Sequence, residues 1–302
     1  MLAILRDVAG VMRQIRSYPL YRTPLERGRA AGRFLAWQVL GRMRSGALEM
    51  PFVDGSRLLV KRRLGGRLHY VLGLAEFDDM AFVGHLLRRD EVFADVGANI
   101  GVYSIMAAVA GGARGVAFEP AERAYHYLRE NLTLNRLEGR IETFRCAVGA
   151  EAGRLPLTAG QGEINHVLRA GEDAEAVQVD VVSLDGFFDG RTPPTLVKVD
   201  VEGFETEVVR GMRGLLAAGT PLAVLMELAG MGEKYGYDER ALRAELEGHG
   251  YTACAYDALG RKLAPLEGDA SGSSNILFVR DLAEARRRLR EAEAFTLGTY
   301  KV

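Results

Sequence analysis

Apolar residues recur at helical spacing from the start of the chain: Leu2, Leu5, Val8, Met12 and Ile15 share a side, with Arg6, Arg13 and Arg16 elsewhere on the turn. The spacing predicts a basic amphipathic helix. A second helical stretch runs from about residue 25 to 43. Three short runs follow at 47–53, 57–62 and 68–72, separated by Asp54-Gly55 and Gly65-Gly66. Those dipeptides favour hairpin turns, so a small antiparallel β unit is expected. Asp78 stands where it can cap a helix that reaches about residue 87.

From residue 92 onward, short β-rich apolar runs alternate with helical patterns. Strands are predicted at 92–95, 115–119, 141–146, 195–200, 222–227, 251–256 and 275–280, and helices at 101–110, 121–135, 203–217 and 239–248. Strand, helix, strand in repetition is the α/β pattern of a mostly parallel sheet covered on both faces. The last two strands have no helix between them, so the seventh returns antiparallel. A long interruption at 155–190 holds a further strand candidate at 177–182. Segments of this kind on a rigid scaffold commonly carry substrate contacts.

Composition changes the picture in three ways. With 302 residues, 48% hydrophobic and 26% charged, the chain can bury a substantial core, which excludes a disordered or fibrous protein. The net charge of −1 conceals an asymmetry: residues 1–67 hold fourteen Lys/Arg against four Asp/Glu, or +10, which leaves −11 for residues 68–302. That balance argues against a nucleic-acid-coating protein. Two cysteines, Cys146 and Cys254, exclude a disulfide framework and a Cys-rich zinc site, and a reducing, cytoplasmic setting is the simplest reading. No apolar run reaches the roughly 18 residues of a membrane span, and the first residues lack a signal-peptide core.

The densest chemistry is Asp95-Val96-Gly97-Ala98-Asn99-Ile100-Gly101, a strand entering a glycine turn that opens a helix. Gly97 permits the sharp turn and Gly101 close helix packing. The next strand ends in Phe118-Glu119-Pro120, twenty-four residues after Asp95, where an acid can accept hydrogen bonds from both hydroxyls of an adenosine ribose. A dinucleotide fingerprint would need a glycine where Asn99 stands, and the acid Asp95 would repel a pyrophosphate while suiting an ammonium. S-adenosyl-L-methionine is therefore preferred to a nicotinamide cofactor.

These blocks, with Lys198-Val199-Asp200-Val201-Glu202-Gly203-Phe204-Glu205, Ser183-Leu184-Asp185 and Asn275-Ile276-Leu277-Phe278, resemble the signature of the FkbM-type S-adenosylmethionine-dependent methyltransferases over about residues 76–280. The resemblance implies a Rossmann-like class I methyltransferase fold and O-methylation of a sugar, glycan or natural-product hydroxyl. It implies that Glu119 holds the ribose, that the turn from Asp95 through Gly97, Ala98 and Asn99 to Gly101 holds the methionine end, that Cys146-Ala147 lie near the adenine, and that Pro120 is among the cofactor contacts. Cys146 reads equally well as a small packed hydrophobe.

Methyl transfer asks the protein to align a hydroxyl and manage its proton. Asp200, ending the fourth strand, is the first choice for a carboxylate facing the acceptor, and Glu227 ends the fifth strand on the same edge. The two acids suit hydroxyl recognition, or a divalent cation with Asp185 or Asn165, although the spacing matches no known ligand pattern and no metal is expected. Lys198 and Asp200 should point to one side as an ion pair, Glu202 and Glu205 suit a helix start, and Tyr235 and Tyr237 suit either sugar stacking or packing. His166, in Gly162-Glu163-Ile164-Asn165-His166, is a candidate base. The chain thus divides into a basic arm (1–75), a methyltransferase domain (76–282) with an insertion at 155–190, and a C-terminal helix or tail (283–302). The arm is the place to look for acceptor delivery, peripheral membrane contact or homodimerisation. The alternatives are a nicotinamide-dependent oxidoreductase on a similar fold and a non-catalytic cofactor-binding adaptor at a membrane.

Overall fold

The computed structural model describes residues 2–43, 47–61, 66–159, 165–169, 171–266 and 275–302. Two helices open the chain, α1 (Leu2–Ser17) and α2 (Pro24–Met43). In α1, Val11 and Ile15 enter the core, Val8 and Met12 pack beside them, and Arg13 and Arg16 stay exposed. The side chains of Leu2, Leu5 and Arg6 lie outside the described residues. Ahead of α2, Thr23 N and Oγ1 donate to Glu26, and Glu26 N donates back to Thr23 Oγ1, a reciprocal cap.

The expected β unit is a hairpin of β1 (Leu48–Pro51) and β2 (Arg57–Val60) around Asp54-Gly55. The third run was expected to be a strand but lies in α3 (Gly66–Leu72); Arg62 and Gly65 fall outside the described residues. The cause is tertiary. Tyr70 packs on Trp37 of α2 at 5.2 Å between ring centroids, and Arg33 of α2 donates to Val71 O. A helix satisfies the remaining backbone groups internally, whereas a strand here would need a sheet partner. In α4 (Phe77–Leu86), Asp78 is not the cap. It sits in the first turn and accepts from Ala258 N at 2.9 Å, which ties the helix to a distant loop.

Beyond α4 the chain alternates β3 (Val92–Val96), α5 (Val102–Val109), β4 (Arg114–Phe118), α6 (Glu122–Leu134) and β5 (Ile141–Phe144). An inserted layer follows, with β6 (Ala147–Val148), β7 (Gly153–Thr158), β8 (Ala176–Val182) and α7 (Leu184–Phe188). The alternation resumes with β9 (Leu196–Val199), α8 (Glu205–Arg210), α9 (Arg213–Ala217), β10 (Ala223–Glu227) and α10 (Glu239–Gly248). It closes with β11 (Thr252–Asp257), β12 (Lys262–Pro265), β13 (Asn275–Val279), α11 (Leu282–Glu291) and a small hairpin, β14 (Thr296–Leu297) with β15 (Tyr300–Lys301). The C-terminal segment is therefore a helix followed by a hairpin.

The main sheet runs β12-β11-β13-β10-β9-β3-β4-β5. Neighbours from β5 to β10 are parallel, and β13 lies antiparallel between β10 and β11. This is the Rossmann-like class I methyltransferase arrangement, with one strand more than expected. The extra strand, β12, is a short, mostly exposed edge without the apolar run that marks the others. Alternate strand residues enter two cores. Phe93, Ala117, Leu196 and Leu225 pack with α4, α5, α6 and α11, while Ala94, Val116, Val197 and Val224 pack with α7 to α10. Buried residues of α1 and α2 belong to the first of these cores. The helix predicted over 203–217 breaks in two because Gly211 presses on the Gly149 carbonyl, leaving no room for a Cβ. The carboxylate of Asp185 then caps α9 by accepting from Gly214 N and Leu215 N at 2.7 and 2.8 Å.

Candidate functional site

Parallel strands deliver their carboxyl ends to one edge, and the turn after β3 lies there between β4 and β9. Gly97 has φ +76°, and a Cβ on it would collide with the Asp200 carbonyl. Its N–H and that of Ala98 both donate to Phe118 O at 3.0 Å. Asn99 and Glu202, on facing turns, hold left-handed backbone at φ 49° and 59°. For a glutamate this is strained, a condition often met at binding sites.

A cavity opens over this edge, lined among others by Gly97, Asn99, Glu119, Pro120, Cys146 and Ala147. Glu119 is 7% exposed. Its Oε2 accepts from Asn99 N at 2.8 Å and its Oε1 from Ala121 N at 2.9 Å. Burial pushes its carboxyl up to about 7, against the pull of the two amides. Each oxygen keeps a lone pair for a ligand hydroxyl. Asn99 Oδ1 is buried and has no hydrogen-bond partner among the described residues. A buried acceptor of this kind is costly until a donor reaches it. These acceptors fit an adenosyl ligand bearing ribose hydroxyls and an ammonium.

Three expected contacts are placed elsewhere. Asp95 does not line the cavity: it is fully buried, accepts from Ser104 Oγ at 2.6 Å and lies 3.7 Å from Lys198 Nζ. Strand alternation sends Asp95 to the α5 side, and the β3–β9 register sets it beside Lys198. Gly101 packs against Leu128. Ala98 lines a second cavity, which shares Asn99 and Asp200 with the first and adds Lys198, Tyr103, His69 and Glu76. The sequence reading missed the last three. Glu76 accepts from Tyr103 Oη at 2.6 Å, and no motif spacing links these positions.

Lys198 joins the two cavities. Its Nζ donates to Gly97 O at 2.8 Å and pairs with Asp200 at 3.1 Å. Burial alone would lower its pKa, but the carboxylates of Asp200 and Asp95 outweigh burial, and the ammonium is held charged. The expected Lys198–Asp200 ion pair is thus present. Carboxylate oxygens of Asp200, Glu202 and Glu227 all lie within 4.8 Å of one another. Burial first, then Asp200 through charge and a shared hydrogen bond, drives Glu227 up to about 9. Glu227 therefore holds its proton near neutrality and donates it in a hydrogen bond to Asp200. Asp185, engaged in capping α9, takes no part in this cluster.

His166 lines the first cavity from the inserted layer. Its Nε2 is bonded to Glu172 at 3.1 Å, and Glu172 is clamped by Arg169 at 2.8 and 2.9 Å. Residues 162–164 beside it lie outside the described residues. Glu205 is buried and folds back to accept from Val201 N and Gly203 N, while Glu202 lines the cavity. Tyr235 and Tyr237 stack on each other at 6.0 Å and back onto Phe204, which lines the wall. Tyr235 Oη donates to Val167 O at 2.6 Å, which pins the inserted layer to the rim. Burial pushes the Cys146 thiol up to about 11, leaving it a wall and not a nucleophile.

Residues 95–253 match the model of the methyltransferase FkbM domain. Curated relatives include methyltransferase sdnD of Sordaria araneosa, 31% identical over 42% of this chain and 62% of that protein. The hexuronic acid methyltransferase AglP of Haloferax volcanii is 30% identical over 43% and 53%. The 31-O-demethyl-FK506 methyltransferase FkbM of Streptomyces tacrolimicus is 40% identical over 27% and 32%. The matches thus span less than two thirds of these relatives. Among solved structures, an rRNA methylase from Streptococcus thermophilus covers 67% of this chain and 93% of its own at 12% identity, with a TM-score of 0.41.

Proposed function

The chain belongs to the FkbM methyltransferase family, and on that premise we propose that it O-methylates a hydroxyl of a sugar, glycan or polyhydroxylated natural product. S-adenosylmethionine is the methyl donor, which sets aside the nicotinamide reading. When bound, it supplies an electrophilic methyl group.

The rest falls to the protein's own residues. Glu119, already braced by two backbone amides, accepts the ribose hydroxyls. Cys146, Ala147 and Pro120 wall the adenine end, and Asn99 Oδ1, without a protein donor, accepts from the methionine end. Asp200 borders both cavities and accepts the hydrogen bond of the acceptor hydroxyl, holding its oxygen toward the methyl. The protonated Glu227 donates to Asp200, and the pair takes up the proton that the hydroxyl gives off. Proximity of this kind is worth roughly 7–11 kcal/mol and a positioned base about 10²–10⁴-fold. His166, tied to Glu172, serves as wall and orienting group. Residues 76–282 carry this chemistry, and residues 1–75 shape the second cavity through His69 and Ala75.

The observation that carries the reading is Asp200, which lines the cavity that Glu119 and Asn99 also line and is backed by Glu227 at the strand ends. Relatives named for hexuronic acid and for a natural product support the acceptor class. The test is label transfer from methyl-tritiated cofactor to a panel of uronic acids, oligosaccharides and macrolide alcohols, located by hydrolysis and mass spectrometry. Label on an ether oxygen is expected. Label confined to nitrogen or carbon, or cofactor binding with no transfer to any acceptor, overturns it, the latter in favour of a binding adaptor.

A further inference from the structure

α2 is apolar on two opposite sides. Its inner stripe, Ala30, Phe34 and Trp37, is buried in the core. On a helical wheel, Leu25, Gly28, Gly32, Leu35 and Val39 form a second stripe within about 80°. Leu25, Leu35 and Val39 are 64%, 63% and 54% exposed, and they are three of the five large apolar side chains so exposed among the described residues. A Cβ on Gly28 or Gly32 would meet nothing within 4 Å, so the stripe is open along its length. From Leu25 to Val39 it extends about 21 Å.

The surroundings of this stripe are cationic. Residues 2–43 contain eight arginines against Asp7 and Glu26. Glu26 is engaged by Thr23 and Tyr300. Arg29 stands at the edge of the stripe and Arg22 at its end, both exposed, whereas Arg27 and Arg33 border the inner side and donate to Tyr21 O and Val71 O. Arg13 and Arg16 add exposed charge on α1.

We propose that the outer face of α2 docks this protein on an anionic lipid surface. Apolar side chains between arginines are the pattern of an interfacial helix, with the apolar face in the acyl boundary and the guanidinium groups among the headgroups. A second copy is the poorer occupant, because a two-fold interface sets each patch against itself and brings the arginine rims together. α1, the basic amphipathic helix of the sequence, is not the docking element, since Val11 and Ile15 are buried against the main core. α3 packs along α2 and contributes Leu68 and His69 to the second cavity, so the docked face stands behind that wall of the site.

The test is co-sedimentation of the full chain with vesicles of phosphatidylcholine alone or with a quarter phosphatidylglycerol. Binding at least about tenfold tighter to the anionic vesicles is expected, weakened by salt and roughly fivefold by each of Arg22→Gln and Arg29→Gln. Leu35→Asp with Val39→Asp should abolish it while cofactor binding and circular dichroism stay unchanged. Leu35→Cys carrying an environment-sensitive dye should shift blue on anionic vesicles, and dye at Val177→Cys should not; Cys146 and Cys254 are buried and do not compete. Equal binding to neutral and anionic vesicles, no binding, or a dimer in light scattering that the double Asp variant splits overturns the proposal.

Discussion

Glu119 does two things with one carboxylate: it accepts from Asn99 N and Ala121 N, and it faces the cavity. Glu119→Gln replaces one acceptor oxygen by an NH₂ that opposes an amide or a hydroxyl. Hydrogen bonds to charged groups are worth about 1.5–3 kcal/mol, so calorimetry should show S-adenosylmethionine binding weakened roughly ten- to a hundredfold. Unchanged affinity would remove Glu119 from the ribose. Asp200→Asn separates binding from chemistry, since it removes a proton acceptor and keeps the shape. We expect kcat to fall about 10²-fold or more with cofactor affinity within about threefold, and Glu227→Gln, which imitates the protonated group, to lose far less. Equal losses in the two variants would refute this division of labour. Glu119 was legible in the sequence because its role depends on where a strand ends. Asp95 was misread because which way it faces depends on strand alternation and on the register with Lys198, and only the assembled sheet fixes that.

Among the elements, the turn between β3 and α5 is the most exacting. The Asp200 carbonyl occupies the space where a side chain on Gly97 would begin, and the backbone there is left-handed. Gly97→Ala must therefore push β9 away from β3 or distort the turn, which displaces Asp200. An unfolding free-energy loss of roughly 2–4 kcal/mol is expected in urea, with cofactor binding lost. A variant as stable as the parent would show that the turn has room to relax. This turn and the alternating strands were legible because local residues dictate them. α3 was not, because its helix is settled by contact with Trp37 and Arg33 on α2, well before it in sequence. The break between α8 and α9 was hidden for a similar reason: it follows from the Gly149 carbonyl and the Asp185 cap, both far away in sequence.

At the scale of the whole molecule, the acidic half of the charge asymmetry includes carboxyls that the fold buries around its site. Burial raises Glu119, Glu205 and Asp79 to about 7 and Glu227 to about 9, each well above its unfolded value. Between the unfolded and folded pKa values the native state binds more protons than the unfolded chain, so stability must fall as pH rises. The contribution is complete below about pH 4.5. It is lost through pH 7 for the first three groups and through pH 9 for Glu227. Carboxylates lowered by surface arginines, such as Glu172 and Glu284, act the opposite way below about pH 4.5, and His69 and His85, whose pKa values burial lowers, do so below about pH 6.5. The ligand-free protein should therefore be most stable between about pH 5 and 6.5 and melt progressively lower from there up to pH 9. Glu227→Gln removes the highest of these titrations, so its melting temperature should overtake the parent's above pH 7 by a few degrees, about 1 kcal/mol corresponding to 2–4 °C at this size. The measurement is a series of thermal melts of both proteins from pH 5 to 9. A parent curve that is flat or rising between pH 6 and 8, with no crossing by the variant, would mean that Glu227 is already ionised beside Asp200 and that the shared proton assigned to the pair is absent.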